Sequence, residues 1–185
     1  MIRKVFTSTE EFFRQNKDLD AGLPFSDDIS LLKKELSVKS KIIPNRLAGQ
    51  PMEGCDGNAD GTPGELTIRR YDRFSEGGAG LIWYEATAVM HEGRANPRQL
   101  HINENNTDAF ARQVEKIKET AIRKNGKEPV IIMQATHSGR YSKPEGKPAP
   151  LIAYNNPIFE KDSPLPKECI VTDEYIDRVK NALIN

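Results

Sequence analysis

The stretch that decides the fold is residues 128 to 140, which read EPVIIMQATHSGR. It begins with a short apolar run, Val130 to Met133, that is rich in β-branched residues. Such a run, bounded by Pro on one side and Gly on the other, is typical of a fully buried strand. The run then ends abruptly in amide, hydroxyl, imidazole and guanidinium groups. Because β/α sheets and barrels bind ligands at the carboxyl ends of their strands, we expect a ligand site here.

A second apolar run upstream has the same form. Residues 81 to 84 read LIWY and are followed by polar residues from Glu85 to Thr87. The run predicts another buried strand, with Trp83 and Tyr84 in the core. Residues 46 to 50 make a poorer strand by propensity, because Ala and Gly dilute the segment.

Helices are expected around these strands. The first starts at Thr62 as N-cap, with Glu65 completing a capping box, and runs to about Ser75. A second covers about residues 106 to 124, and a last one begins after Thr172. The apolar residues expected to contribute from the first helix are Leu66, Ile68, Tyr71 and Phe74. The second helix has a stripe of apolar residues at Phe110, Val114, Ile117 and Ala121.

The order of these elements predicts the fold class. Strand, helix, strand, helix, strand, long loop, helix indicates an α/β protein with a parallel sheet. A (β/α)8 TIM barrel of eight such units takes about 250 residues. The 185 residues here correspond to about the first half of one, with three β/α units.

Composition narrows the class of protein. Lys plus Arg and Asp plus Glu are both 27, so the formal net charge is zero, which argues against nucleic acid as a partner. No apolar run approaches the roughly 20 residues of a membrane helix, and the N-terminus does not resemble a signal peptide. Cys55 and Cys169 lie far apart without metal-type spacing, which favours a reduced, cytoplasmic setting. The spacing of Asp56, Asp60 and Glu65 fits no EF-hand loop, so no metal is predicted.

Three segments, in order and at fitting spacings, carry a family signature. They are Asn45-Arg46 followed by Pro51-Met52, then Gly80-Leu81-Ile82 with Glu85-Ala86-Thr87-Ala88-Val89, then the seven residues from Gln134 to Arg140. Together they resemble the Old Yellow Enzyme family of FMN-dependent oxidoreductases, including its NADH:flavin oxidoreductase and 2,4-dienoyl-CoA reductase branch. The resemblance implies a (β/α)8 barrel with FMN at the strand ends, of which residues 42–185 form the N-terminal half and residues 1–41 the cap.

The resemblance also implies cofactor-binding residues. The backbone of Pro51 and Met52 would lie along the flavin, and Ala86 matches the small residue whose amide meets the isoalloxazine. Gln134 matches the side chain that pairs with the pyrimidine edge, to which one amide offers both a donor and an acceptor. Glu53 would lie beside the flavin O4/N5 edge, where the family commonly has Thr, Ser or Cys. The carboxylate there would repel an anionic reduced flavin, carry a proton if its pKa is raised, or be merely a solvated loop residue.

The implied reaction transfers hydride from NAD(P)H through flavin N5 to an electron-poor alkene. The family's catalytic His/Asn pair and Tyr would lie beyond Asn185, so we name no catalytic residue; His137 and Arg140 are expected to serve site architecture. Two functions stay open. The chain is part of a flavin oxidoreductase acting on a small activated alkene or enone, or it is a non-catalytic half-barrel that self-associates or binds a partner. A phosphate-binding barrel such as an aldolase is a weaker third choice, because no Schiff-base lysine stands out.

Overall fold

The computed structural model describes residues 6–16 and 26–184, which fold around a three-stranded parallel sheet. The helices and strands are α1 (Thr9–Gln15), β1 (Leu36–Val38), β2 (Lys41–Ile43), β3 (Ala48–Gly49), α2 (Glu65–Glu76), β4 (Leu81–Ala88), α3 (Thr107–Asn125), β5 (Val130–Thr136) and α4 (Asp173–Ile184). Single 3-10 turns cover Ser30–Lys33, His91–Gly93, Gly139–Tyr141 and Lys167–Cys169.

The sheet follows the predicted alternation of strands and helices. Its order is β3-β4-β5, with Gly49 beside Ile82 and Ile82 beside Ile131 in parallel register. Helix α2 connects β3 to β4, α3 connects β4 to β5, and α4 follows β5. The prediction of three β/α units is therefore confirmed.

A β-hairpin precedes this sheet. β1 and β2 are antiparallel, and Val38 pairs with Lys41 across a tight turn. Residues 27 to 41 are compatible with a helix or a hairpin by sequence pattern, and the structure has a 3-10 turn at Ser30–Lys33 followed by the hairpin. The hairpin also spans the expected boundary between the cap, residues 1–41, and the barrel, residues 42–185. The division of the chain into these two segments stays a prediction.

The core lies between the sheet and helices α2 and α3. Its buried side chains are Tyr71, Ile82, Tyr84, Leu100, Phe110 and Ile117. The rings of Tyr71 and Tyr84 stack with centroids 4.1 Å apart, which joins α2 directly to β4. Of the predicted stripe on α3, Phe110, Ile117 and Ala121 are buried and Val114 is half-buried.

The predicted start of α2 was wrong. Gly64 occupies the N-cap position without a side-chain cap, and the helix begins at Glu65. The carboxylate of Asp60 accepts hydrogen bonds from both the backbone N–H and the hydroxyl of Thr62, at 3.0 and 2.7 Å. Thr62 therefore lies two residues before the N-cap, and its hydroxyl oxygen accepts from the Asn58 amide at 2.9 Å, so it makes no capping box with Glu65.

The predicted full burial of β5 was also wrong. Ile132 is 40% exposed and Met133 41% exposed, because β5 is an edge strand of the described sheet. Trp83, expected in the core, is 41% exposed, whereas its neighbour Tyr84 is buried as predicted. Since successive side chains of a strand point to opposite faces, Trp83 lies on the sheet face away from α2 and α3.

Helix α4 is held at its start and little buried along its length. The hydroxyl of Thr172 accepts a hydrogen bond from the backbone N–H of Tyr175 at 3.3 Å, so Thr172 caps the helix as predicted. No residue of α4 is fully buried. Across residues 6–16 and 26–184, no helix has both the length and the apolar character needed to cross a membrane.

Candidate functional site at the carboxyl ends of the strands

β4 and β5 are joined by an irregular pairing near their carboxyl ends. Glu85 and Ala86 of β4 lie opposite the single residue Gln134 of β5, because the pairing register shifts there. Such a bulge redirects side chains and is frequent beside active sites. The structure thus places Ala86 and Gln134, two of the predicted site residues, opposite each other on neighbouring strands.

The amide of Gln134 is free to bind a ligand. Its side chain is exposed and makes no hydrogen bond to any other residue in the described parts of the chain. One carbonyl oxygen and two N–H groups are therefore available at the strand end.

The loop after β3 carries the other predicted residues. Pro51 is half-buried and Met52 is 68% exposed, with the Met52 N–H donating to the carbonyl of Gln50 at 2.9 Å. The backbone N–H of Gly54 donates to Glu85 at 2.9 Å. This last bond ties the loop from Pro51 to Gly54 to the bulge of β4.

The loop ends in a buried ionic group centred on Arg70. The guanidinium donates to both carboxylate oxygens of Asp56, at 2.7 and 3.0 Å, and to Glu85 at 2.5 Å. The hydroxyl of Thr67 donates to Asp56 at 2.6 Å. Hydrogen bonding from Arg70, foremost, and from Thr67 holds the pKa of Asp56 below its usual value. Hydrogen bonds to both carboxylates raise the pKa of Arg70, so its guanidinium stays charged.

Glu53 lies next to this group but outside its bonds. Its carboxyl has no hydrogen bond or ion pair with another described residue. Partial desolvation, and secondarily the charge of Glu85, raise the pKa of Glu53 above its ordinary value. Glu53 therefore takes up a proton more readily than Asp56, which Arg70 holds as an anion.

Ala86 is fixed by the loop that follows β4. It is 6% exposed, and its carbonyl accepts a hydrogen bond from the Gln99 amide at 3.2 Å. Gln99 in turn accepts from the Ala95 N–H at 2.6 Å. The fully buried Arg94 donates to the carbonyls of Gln99, at 2.7 Å, and Pro97, so backbone oxygens satisfy its charge in place of a carboxylate.

His137 follows β5 and is occupied by structural bonds. Its Nδ1 accepts the Gly139 N–H at 3.1 Å, and its Nε2 lies 2.7 Å from the hydroxyl of Tyr175. Burial lowers the pKa of His137. Arg140 makes an ion pair with the buried Glu160. Both residues therefore make contacts that organise the loops after β5.

Sequence reasoning did not single out Arg70. Arg69 and Arg70 are neighbouring residues of the same type, so only their positions around the helix distinguish them. Arg70 stands three residues after the buried Thr67 and beside the buried Tyr71, whereas Arg69 is exposed. A helical wheel with Thr67 and Tyr71 inside would have found it, but the predicted apolar face (Leu66, Ile68, Tyr71 and Phe74) did not include Thr67.

Comparison with known proteins places this geometry in context. No family model matches the chain. An NADPH dehydrogenase of Clostridium acetobutylicum is 29% identical over 133 residues, which are 71% of this chain and 37% of that protein. Another NADPH dehydrogenase, from Geobacillus sp., is 29% identical over 147 residues, 78% of this chain and 40% of that protein. The chain thus spans about two fifths of the length of these curated relatives.

Solved structures agree on the fold. The old yellow enzyme homologue of Zymomonas mobilis superposes with a TM-score of 0.63 at 19% identity, over 82% of this chain and 42% of that one. A 2-naphthoyl-CoA reductase in complex with 2-naphthoyl-CoA gives a TM-score of 0.68 at 17% identity, over 84% of this chain and 24% of that one. The partial parallel sheet is therefore a segment of a TIM barrel. The chain is thus similar to curated NADPH dehydrogenases and to solved structures of the Old Yellow Enzyme family, and it covers only the N-terminal part of them.

Proposed function

We propose that this chain is the flavin-ring-binding part of an FMN-dependent oxidoreductase of the ene-reductase type. The complete activity would transfer hydride from NAD(P)H to an electron-poor alkene such as an enone. The observation that carries the proposal is the unpartnered amide of Gln134 opposite the bulge at Glu85 and Ala86. It lies at the strand end where the family resemblance puts the edge of the flavin ring.

The residues at the strand ends fit a flat heteroaromatic ring edge. Gln134 offers both a donor and an acceptor, and the small side chain of Ala86 leaves room for a ring to approach the backbone. Pro51 and Met52 would lie along the ring, and Met52 is already exposed for such a contact. We assign no phosphate-binding residue in the described chain, because the guanidinium of Arg70 is engaged by two carboxylates.

FMN, when bound, supplies the hydride chemistry, and the chain binds and orients its ring. Glu53 has the local role that is specific to this chain. Its raised pKa makes the carboxyl easier to protonate than an ordinary glutamate. In its protonated form it would donate a hydrogen bond at the ring edge, whereas the ionised form would repel an anionic ring. Of the three alternatives open for Glu53, we therefore propose the proton-carrying one.

The remaining assignments follow from this function. Residues 42–185 would form the first half of the barrel, and residues 1–41 its cap. The groups that polarise and protonate the alkene would come from later strands of a complete barrel. Cys55 and Cys169 are both free thiols, which supports a cytoplasmic setting for the enzyme.

The visible absorption spectrum tests flavin binding. The purified 185-residue protein is mixed with FMN and desalted, and we expect a flavin band to remain with the protein. A Gln134→Ala variant should retain less of it. A colourless protein after desalting would refute flavin binding by this chain alone, and NAD(P)H oxidation assays would then lose their basis.

Self-association without catalysis is the second candidate function. It is favoured by the exposed Ile132 and Met133 on the edge strand β5, together with the absence of fully buried residues on α4. Edge strands with apolar side chains readily pair with other chains. Light scattering of the 20.8 kDa protein tests this: an oligomer that Ile132→Lys converts to monomer supports it. Ile158→Lys, at an exposed loop position, is the control.

A further inference from the structure

We propose that Arg70 is a positioning residue for the strand-end site. It holds the segment from Glu53 to Asp56 against the bulge of β4 by joining the carboxylates of Asp56 and Glu85. The link to FMN rests on the proposed function above. The positioning itself rests on the contacts of α2 alone.

One face of α2 serves as the platform for both parts of the site. Thr67, Arg70 and Tyr71 stand at positions i, i+3 and i+4, which are neighbours on a helix surface. Thr67 and Arg70 bind the carboxylate of Asp56 in the loop. The hydroxyl of Tyr71 accepts the backbone N–H of Glu85 in the bulge at 2.6 Å. Helix α2 thus contacts the loop through Thr67 and Arg70, and the bulge through Arg70 and Tyr71.

Glu85 links Arg70 to the backbone of the loop. One of its carboxylate oxygens accepts from Arg70 and the other from the Gly54 N–H, and the side chain is only 3% exposed. The loop is therefore pinned at Gly54 and at Asp56. Cys55 between them adopts a left-handed conformation with φ of 50°. A non-glycine residue keeps such a backbone only where its surroundings enforce it.

The packing leaves little freedom at the pinned segment. A Cβ atom added to Gly54 would overlap both terminal nitrogens of the Arg70 guanidinium. Because two carboxylates fix that guanidinium, it has little room to move aside. The absence of a side chain at Gly54 thus allows the loop backbone to contact the Arg70 guanidinium directly. Glu53 is the residue that precedes this contact.

The geometry requires the guanidinium fork and not merely a positive charge. Arg70 makes three hydrogen bonds to two carboxylates that approach from different elements. A lysine ammonium keeps the charge but cannot reproduce the planar, bidentate arrangement. Arg70→Lys therefore removes the bridge with little change in net charge.

Hydrogen exchange of the Gly54 amide, in the full chain, is the direct readout. In Arg70→Lys we expect this amide to exchange at least about tenfold faster, since a hydrogen bond to a charged acceptor is weakened. The amides of α3 and of the first half of β4 should keep wild-type exchange. The matched control is Arg73→Lys, because Arg73 is exposed one turn along the same helix face and makes no ion pair with described residues. FMN affinity is measured on the same samples.

Four outcomes distinguish the positioning role of Arg70 from the proposed binding of FMN. Faster exchange at Gly54 with about tenfold weaker FMN binding supports the positioning role in flavin binding. Faster exchange in a chain that never binds FMN supports the positioning and refutes the proposed function. Unchanged exchange at Gly54 overturns the inference. Equal acceleration of exchange throughout the fold also overturns the inference, because Arg70 would then be a general stabilising residue. If Arg70→Lys does not fold, the same measurement is made on Glu85→Gln.

Discussion

The Nε2 atom of His137 lies 2.7 Å from the hydroxyl oxygen of Tyr175, so the end of β5 is joined directly to the first turn of α4. Because Nδ1 accepts the Gly139 N–H, the neutral ring carries its proton on Nε2 and donates it to Tyr175. Burial, together with the nearby carboxylate of Glu92, raises the pKa of Tyr175 to about 12. The hydrogen bond between His137 and Tyr175 therefore helps to hold a helix that has no fully buried residue.

Tyr175→Phe should test this docking. The substitution keeps the ring but leaves the Nε2 donor of the half-buried His137 without its partner, so we expect a loss of about 1–3 kcal/mol in the free energy of unfolding. Chemical denaturation measures it. Tyr154→Phe, at a residue that is 61% exposed, should have no measurable effect. Equal stability of the Tyr175→Phe variant and the wild type would show that α4 is held by other contacts.

Gln134→Ala should weaken flavin binding in any version of the protein that binds FMN. The lost amide removes one donor and one acceptor, and neutral hydrogen bonds of about 0.5–1.5 kcal/mol each predict a rise in Kd of roughly 5- to 100-fold. Fluorescence titration with FMN measures the change. Asn105→Ala removes another exposed amide, next to α3, and serves as control. Wild-type affinity in the Gln134 variant would remove the main site assignment.

The sequence predicted the elements that depend on local patterns. The stripe of Phe110, Ile117 and Ala121 placed α3 correctly, because helical periodicity is a local signal. The helix ends at Gly126, which adopts the left-handed cap conformation. The cap of α4 at Thr172 was also predicted from a local signal. The capping box at Thr62 failed because the helix begins only at Glu65, and Thr62 instead takes part in a local turn with Asn58 and Asp60. Several residues here can cap, and the sequence does not rank them.

Only part of the candidate site could be predicted from the sequence. Gln134 and Ala86 were named from the family motif, and the bulge that sets them opposite each other arises from a pairing irregularity that no single strand reveals. The junction of Asp56, Arg70 and Glu85 joins residues up to 29 positions apart through α2 and β4. Such contacts depend on tertiary packing. Trp83 was misplaced because an apolar residue on an uncovered sheet face looks like a core residue in sequence.

The raised pKa of Glu53 predicts a pH-dependent effect on stability. A carboxyl whose folded pKa lies above its unfolded value contributes stability that is present below the unfolded pKa and lost as pH rises through the folded pKa. Glu53→Gln should therefore unfold at a higher denaturant concentration than wild type at pH 7. The gain should be small, about 0.5 kcal/mol or less, because the carboxyl is exposed.

The difference between Glu53→Gln and wild type should vanish below the ordinary pKa of glutamate, about 4.3. Denaturation curves recorded across this range measure it. Glu104→Gln, at an exposed position beside α3, provides the control for a general charge effect. A stabilisation that persists unchanged in acid would mean that ionisation of Glu53 is not its cause.

Gly93 and His137 should be energetically coupled through their close packing. A Cβ atom added at Gly93 would lie 2.5 Å from Cδ2 of the His137 ring, which is too close for any real contact. Gly93→Ala should therefore cost about 1–3 kcal/mol, the range typical of overpacking. His137→Ala removes the obstructing ring, so the double variant should lose less stability than the sum of the two single variants. Urea denaturation of the four proteins gives the coupling energy. Simple additivity would show that the cost of Gly93→Ala does not arise from contact with the His137 ring.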